Sequence, residues 1–113
     1  MEIRDNINIA QDFTKRPGAR YVYEGDYSGE LFLDTLLRPK FESAVNNQYI
    51  LSIELDGVTG YPSSFISGSF GVLSMEKTAA LVLRHINFIS SSPTKIEKFE
   101  EEIKNPKSRP KKP

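Results

Sequence analysis

Hydrophobic and polar residues alternate in four stretches of the chain, and alternation with a period of two is typical of strands. The clearest stretch is residues 49–55, and shorter ones predict strands over residues 7–9 and 85–90 and a β-ribbon over residues 19–24. In residues 49–55 one face is apolar, whereas Ser52 and Glu54 make the other face polar. A strand that is buried on both faces would lack this polar row, so we expect helices to cover one side of the sheet.

Other stretches carry apolar residues at helical spacing, and they predict helices over residues 29–47, 63–75 and 94–104 and a helical turn over residues 77–84. We expect Pro39 to kink or restart the first helix. Glycines disfavour helices, so Gly68 and Gly71 indicate a close approach of the second helix to the sheet. The alternating order predicts one α/β sandwich over residues 1–105, with a mixed sheet of four to five strands and helices mainly on one face.

Composition narrows the range of chemistry. The 113 residues include one histidine and no cysteine, which excludes disulfides, thiolate zinc sites and multi-histidine metal sites within the chain. We therefore expect neither a metal nor a cofactor. A 20-residue apolar stretch and a secretory signal are both lacking, so we expect a cytoplasmic protein without a membrane partner.

Charge is unevenly distributed, although the formal net charge is zero. Residues 106–113 contain four basic residues, three prolines and no acid, which predicts a disordered, proline-rich tail. A solubilising role is favoured for this tail over a weak contact with nucleic acid or an acidic partner, because four charges give little affinity at physiological salt.

The loop that follows the clearest strand is the most informative place for function. Loops between a strand and the next helix collect ligands in α/β folds. The first backbone N–H groups of a helix lack internal partners and stabilise a negative group such as phosphate. Two hypotheses remain open for Ser63 and Ser64: either one of them only caps the helix, or one is phosphorylated at its start.

Three runs of sequence carry a family resemblance. They are DFTKRPGAR at residues 12–20, YSGE at 27–30, and DGVTGYPSSF at 56–65 followed by Phe70 and Gly71. With these runs, residues 5–104 resemble the STAS-like domain family of unknown function. That family is related in apparent fold to the sulphate transporter and anti-sigma-factor antagonist (STAS) domains.

The resemblance implies a switch. In bacterial antagonists, a loop serine or threonine between a strand and a helix is phosphorylated by a partner kinase of the anti-sigma type. By position, this role maps onto Ser64, or else onto Ser63. The sequence departs from the antagonists at Pro62 and Phe65, where they carry Asp and Gly. The resemblance also implies a bacterial or phage-encoded protein with a kinase-like ATPase as partner.

From these observations we predict a regulatory protein-interaction module that is not an enzyme. The unmodified form binds its partner and the phosphorylated form releases it. Self-association into a homodimer stays open. The expected contact residues belong to the loop and to the helix after it: Asp56, Thr59, Tyr61, Ser63, Ser64 and Ser67.

A different class of function remains as an alternative. Arg16 and Arg20 lie close in sequence to Tyr21 and Tyr23, and cations beside aromatic rings can bind single-stranded nucleic acid. With the basic tail, these residues would make a small nucleic-acid-associated regulator. The favoured interpretation is structural, with the tyrosine rings packed on the sheet and their hydroxyls exposed.

Overall fold

The computed structural model describes residues 1–107, in which three parallel strands form a sheet. The strands are β1 (Ile3–Asn8), β2 (Ile50–Glu54) and β3 (Ile86–Ile89), and they lie in the order β1-β2-β3. Both neighbouring pairs are parallel. The prediction of an α/β fold is confirmed, but the prediction of a mixed sheet with four to five strands is not. The sheet is smaller because the predicted ribbon does not form.

Residues 19–24 are not a β-ribbon, which corrects the interpretation of their alternating pattern. They fold as a loop that contains a 3₁₀ turn, Val22–Glu24. The Glu24 carboxylate accepts hydrogen bonds from the backbone N–H groups of Arg20 (3.1 Å) and Tyr21 (3.0 Å). Because these N–H groups are already bonded to a side chain, they are not available for a strand ladder.

The connection from β1 to β2 is mostly helical. It consists of α1 (Ile9–Asp12), α2 (Gly29–Phe32), a π turn (Leu33–Leu37) and α3 (Arg38–Asn46), and the last three run without interruption. The Ser28 hydroxyl caps this stretch by accepting from the backbone N–H of Leu31 (3.0 Å). Pro39 lies in the first turn of α3. Proline has no N–H to donate to the preceding turn of the helix. The irregularity predicted at Pro39 is therefore a π turn just before it, and the helical stretch does not end there.

The connection from β2 to β3 also consists of helices. They are α4 (Ser63–Ile66), a second π turn (Ser67–Gly71), α5 (Val72–Lys77) and α6 (Ala79–His85). After β3 the chain forms α7 (Pro93–Lys104). The predicted helices over residues 63–75 and 94–104 and the helical turn over 77–84 are all confirmed, with ends that differ by a few residues.

The strand order places the helical connections. Parallel strands are joined by right-handed crossovers, so two successive crossovers in the order β1-β2-β3 lie on the same face of the sheet. Ile7 and Ile53 are fully buried on that face. On the opposite face, the Asn6 side-chain amide donates to the Glu54 carboxylate (2.9 Å), and the Ser52 hydroxyl donates to the side-chain oxygen Oδ1 of Asn6. The polar row that the sequence indicates is therefore a hydrogen-bonded row across two strands.

Two glycines in the second π turn allow close packing, but not against the sheet as predicted. A Cβ atom at Gly68 would lie 2.8 Å from the backbone oxygen of Arg20. A Cβ atom at Gly71 would lie 2.7 Å from a carboxylate oxygen of Glu102 in α7. The helix therefore approaches the loop before α2 on one side and the last helix on the other.

Within residues 1–107, no helix has both the length and the apolar character that crossing a lipid bilayer requires.

Candidate functional site

The candidate site lies where β2 and β3 end, and an acidic side chain joins the two loops there. Asp56 accepts hydrogen bonds from the Ser90 hydroxyl (2.7 Å) and from the backbone N–H of Ser91 (2.8 Å). The bond from Ser90 is the main cause that lowers the pKa of Asp56, and the Ser91 N–H adds to it. Asp56 is exposed. It is therefore an anionic group at the surface, held in place by the loop after β3.

The turn after Asp56 depends on a glycine. Gly57 has a φ angle of 92°, in the left-handed region that residues with a side chain rarely adopt. Further along, Thr59 is exposed and bonds to the backbone oxygen of Lys15 through its N–H (3.0 Å) and its hydroxyl (3.2 Å). The loop is thus fixed to the segment that follows α1, with the Thr59 side chain at the surface.

Tyr61 supports the loop from inside. Its side chain is buried, and its hydroxyl donates to the backbone oxygen of Leu55 (2.8 Å). Its ring meets the Phe99 ring edge to face, with centroids 4.9 Å apart. A partner cannot contact Tyr61 in this arrangement, in contrast to the expectation from sequence, because the residue anchors the loop to the core.

Burial of Tyr61 leads to a pH-dependent prediction. Burial raises the pKa of Tyr61 above its ordinary value, with Asp56 as a second cause. The unfolded chain therefore releases this proton first, at a pH of about 10. The stabilisation that the neutral Tyr61 hydroxyl gives to the folded state is fully present below that pH. The free energy of unfolding falls as the pH rises above it.

Tyr61→Phe should remove this contribution. It leaves the Leu55 oxygen without its donor, so we expect a loss of about 1 kcal/mol at neutral pH. The difference between variant and wild type should shrink above a pH of about 10. Urea denaturation at several pH values measures both effects, and an unchanged difference up to pH 11 would contradict the assignment.

The two serines at the start of α4 differ in exposure. The helix begins at Ser63 and its N-cap is Pro62, without a side-chain cap hydrogen bond. The hypothesis that a serine hydroxyl caps this helix is therefore wrong. Ser63 is exposed, whereas Ser64 is half-buried. Of the two phosphorylation candidates, Ser63 is the more accessible to another protein.

Ser67 lies in the second π turn and is 2% exposed. Ser67 was expected to contact a partner, but a buried side chain cannot do so. Other segments of the chain cover this part of the helix. The accessible part of the predicted contact set is accordingly reduced to four residues at the end of the sheet: Asp56, Thr59, Ser63 and Ser64.

The residues of the nucleic-acid alternative lie in the loop before α2. The Tyr21 and Tyr23 rings stack on each other, with centroids 5.5 Å apart and an interplanar angle of 10°. Tyr23 is 80% exposed, so its ring does not pack on the sheet as the structural interpretation expected. Arg16 is exposed and Arg20 is half-buried, and the acidic Glu24 follows Tyr23 directly in the sequence. A nucleic-acid contact by this loop stays a prediction.

Two groups of site residues were missed by sequence reasoning. Ser90 and Ser91 follow β3, and the rule that strand ends meet at one edge of a parallel sheet could have placed them beside Asp56. Lys98 of α7 donates from Nζ to the backbone oxygen of Tyr61 (3.2 Å). No sequence pattern gave a signal for Lys98, because its contact depends on how α7 packs against the loop.

Comparison with known proteins gives a family but no individual relative. The family model described as STAS-like domain of unknown function (DUF4325) matches residues 28–95, more than half of the chain. No curated protein and no solved structure matches the chain significantly. The match contains α2, the whole loop after β2 and β3, and it confirms the resemblance seen in the sequence. The chain belongs to the family of STAS-like domains of unknown function.

Proposed function

We propose that this domain is a regulatory module without enzymatic activity, which binds a protein partner through the loop after β2 and releases it on phosphorylation of Ser63. The observation that carries the proposal is the exposed hydroxyl of Ser63 at the start of α4, next to an anionic Asp56 loop, in a STAS-like domain. The contact surface consists of Asp56, Thr59, Ser63 and Ser64.

The partner in this proposal is a cytoplasmic, kinase-like ATPase of the anti-sigma type, which also carries out the phosphorylation. The Ser63 oxygen forms a bond to the γ-phosphorus of ATP. The bond from that phosphorus to the β,γ-bridging oxygen breaks, ADP leaves, and the hydroxyl proton passes to a base of the kinase. The products are phosphoserine and ADP.

Release follows from charge and hydration. A phosphoserine adds about −1.5 to −2 charges at pH 7, at the end of the same loop that begins with the anionic Asp56. A partner that fits closely over the Ser63 hydroxyl would have to strip water from this phosphate, which is costly without a paired cation. The domain itself remains folded, because Ser63 is exposed and its side chain does not cap the helix.

Ser63→Asp should weaken binding of the partner by about tenfold or more, which corresponds to about 1.4 kcal/mol. The partner is first isolated by affinity purification on the immobilised wild-type protein, and its affinity for each variant is then measured by calorimetry. Ser63→Ala should bind like the wild type, because it adds neither charge nor bulk.

Asn87→Asp is the matched control. Asn87 is an exposed residue of β3, so the variant adds the same charge away from the loop and should leave the affinity unchanged. Wild-type affinity for both Ser63→Asp and the double variant Ser63→Asp, Ser64→Asp would refute the proposed contact surface.

A further inference from the structure

A cavity of about 290 Å³ lies between α3 and the corner that joins α5 to α6. We call it the α3–α6 cavity, and it is lined by Phe41, Glu42, Val45, Asn46, Lys77 and Leu81. All six lie within the described part of the chain, whereas residues 108–113 of the predicted tail lie outside it. The volume is near the lower end of the range for ligand pockets, about 300–1,000 Å³, so it suits a small ligand.

The floor of the α3–α6 cavity is apolar. Phe41 and Val45 are four residues apart in α3, so they are neighbours on one side of the helix. Phe41 is fully buried, whereas Val45 and, across the cavity, Leu81 of α6 are half-buried. Because Val45 and Leu81 remain partly in contact with water, an apolar group that enters the cavity would gain affinity by covering them.

The rim carries one positive and one negative charge. The Lys77 ammonium donates to the Glu42 carboxylate (2.9 Å), and this ion pair joins the end of α5 to α3. The Lys77 side chain is 30% exposed and the Glu42 side chain 47%, so a ligand in solution can reach both groups. An exposed ion pair contributes little to stability, so its hydrogen bond can be exchanged for bonds to a ligand at little cost.

The nearest other charges bond to each other. Arg38, one turn before Glu42 in α3, donates to Glu76 from Nε (3.0 Å) and also bonds to Asp34. Asn46 adds an exposed side-chain amide to the rim. The α3–α6 cavity therefore presents one cation, one anion and one amide around an apolar floor.

The corner between α5 and α6 contains a strained residue. Thr78 has a φ angle of 88°, which residues with a branched side chain rarely adopt. Its N–H donates to the backbone oxygen of Ser74 (2.8 Å), and its hydroxyl accepts from the N–H of Leu81 (3.3 Å). These bonds fix the corner, and with it the two residues that face α3 across the cavity, Lys77 and Leu81. Strain of this kind occurs often at ligand sites.

We infer that the α3–α6 cavity binds a free α-amino acid with an apolar side chain. The ammonium and carboxylate groups of such a molecule are attached to the same carbon atom, so they lie as close together as those of Lys77 and Glu42. The ligand carboxylate accepts from Lys77 and the ligand ammonium donates to Glu42, and both are charge-assisted hydrogen bonds. The ligand side chain covers Phe41, Val45 and Leu81. Two rim charges of opposite sign thus select a zwitterion over a simple acid or amine.

The test uses the full chain, labelled with ¹⁵N, and four compounds. L-Phenylalanine should shift the amide signals of Val45 and Leu81 in a saturable manner, with a Kd of about 1 mM or lower. The signal of Asn87 in β3 is the reference and should not move. 3-Phenylpropionate lacks the ammonium, 2-phenylethylamine lacks the carboxylate, and glycine lacks the apolar side chain. Each of these three should bind about tenfold more weakly or worse.

Charge variants assign the two ends of the ligand. In Glu42→Gln the Lys77 ammonium loses its partner, so 3-phenylpropionate should bind as tightly as L-phenylalanine. In Lys77→Gln the Glu42 carboxylate is released, and 2-phenylethylamine should bind as tightly as L-phenylalanine. Lys104→Gln is the matched control, because Lys104 is an exposed residue of α7 that does not line the α3–α6 cavity. It should leave the affinity for L-phenylalanine unchanged.

Absence of saturable shifts at Val45 and Leu81, at L-phenylalanine concentrations well above the expected Kd, would overturn the inference. So would equal affinities for the three aromatic compounds, since the cavity would then be an apolar groove for a side chain of another protein. Tightest binding of 3-phenylpropionate to the wild type would replace the amino acid by a carboxylic acid. None of these results depends on Ser63 or on a partner protein, so they leave the Ser63→Asp binding test intact.

Discussion

Phe70→Ala should lower the free energy of unfolding by about 3–5 kcal/mol, the largest effect that we expect from a single substitution. Phe70 is fully buried in the second π turn. Its ring contacts those of Phe99 (5.2 Å between centroids), Phe88 (5.4 Å) and Phe32 (6.0 Å). It thus joins the last helix, the edge strand and α2, and its removal leaves a cavity that none of the three can fill alone. Urea denaturation followed by circular dichroism measures the loss.

Tyr23→Ala is the matched control for this substitution. It also removes an aromatic ring, but Tyr23 is 80% exposed, so its effect should stay within about 0.5 kcal/mol. If Phe70→Ala does not fold, Phe70→Leu should show a smaller loss of the same sign. A loss below about 1 kcal/mol for Phe70→Ala would contradict the packing described here.

Gly29→Ala should have the second-largest effect, a loss of about 1–3 kcal/mol. A Cβ atom at Gly29 would lie 2.5 Å from the backbone oxygen of Phe65 and 2.9 Å from the backbone carbon of Gly68. These are main-chain atoms of another helical stretch, so they can move only if both helices separate. The collision outweighs the roughly 1 kcal/mol that alanine gains over glycine in a helix. Thermal denaturation is a suitable measurement.

Gly60→Ala provides the comparison. A Cβ atom at Gly60 meets no other atom within 4 Å, and Gly60 does not have a positive φ angle. Its unfolding free energy should therefore change by less than about 0.5 kcal/mol. Similar losses for Gly29→Ala and Gly60→Ala would show that the two helices are not in close contact at Gly29.

Local sequence was sufficient to predict most of the elements. The alternation in residues 49–55 predicted β2 because this strand has one apolar and one polar face. The spacing of apolar residues likewise predicted the helices over residues 63–75 and 94–104. The same rule failed at residues 19–24, where alternation is equally good. There the Glu24 carboxylate bonds to the backbone of Arg20 and Tyr21, a contact that a period of two cannot reveal.

The site was predicted only in part, for a similar reason. The position of the loop and the exposure of Ser63 follow from the order of strand, loop and helix. The burial of Tyr61 and Ser67 does not, because it depends on segments that are distant in sequence. Phe99 packs on Tyr61, and the loop that carries Arg20 covers the helix at Gly68. Lys98 reaches the loop across 37 residues of sequence, which no local pattern encodes.

The π turn that joins α4 to α5 determines how this helical stretch would respond to the deletion of a residue. A π turn holds one residue more than the α-helical pattern, and each residue of an α-helix turns the chain by about 100° about the helix axis. The wider turn takes up this extra residue, so deleting one residue within Ser67–Gly71 would leave an unbroken α-helix in which α4 keeps about the same orientation relative to α5. Deleting one residue within Val72–Lys77 removes it from the regular α-helical pattern instead, and would rotate Ser63 by about 100° about the helix axis relative to the residues that follow.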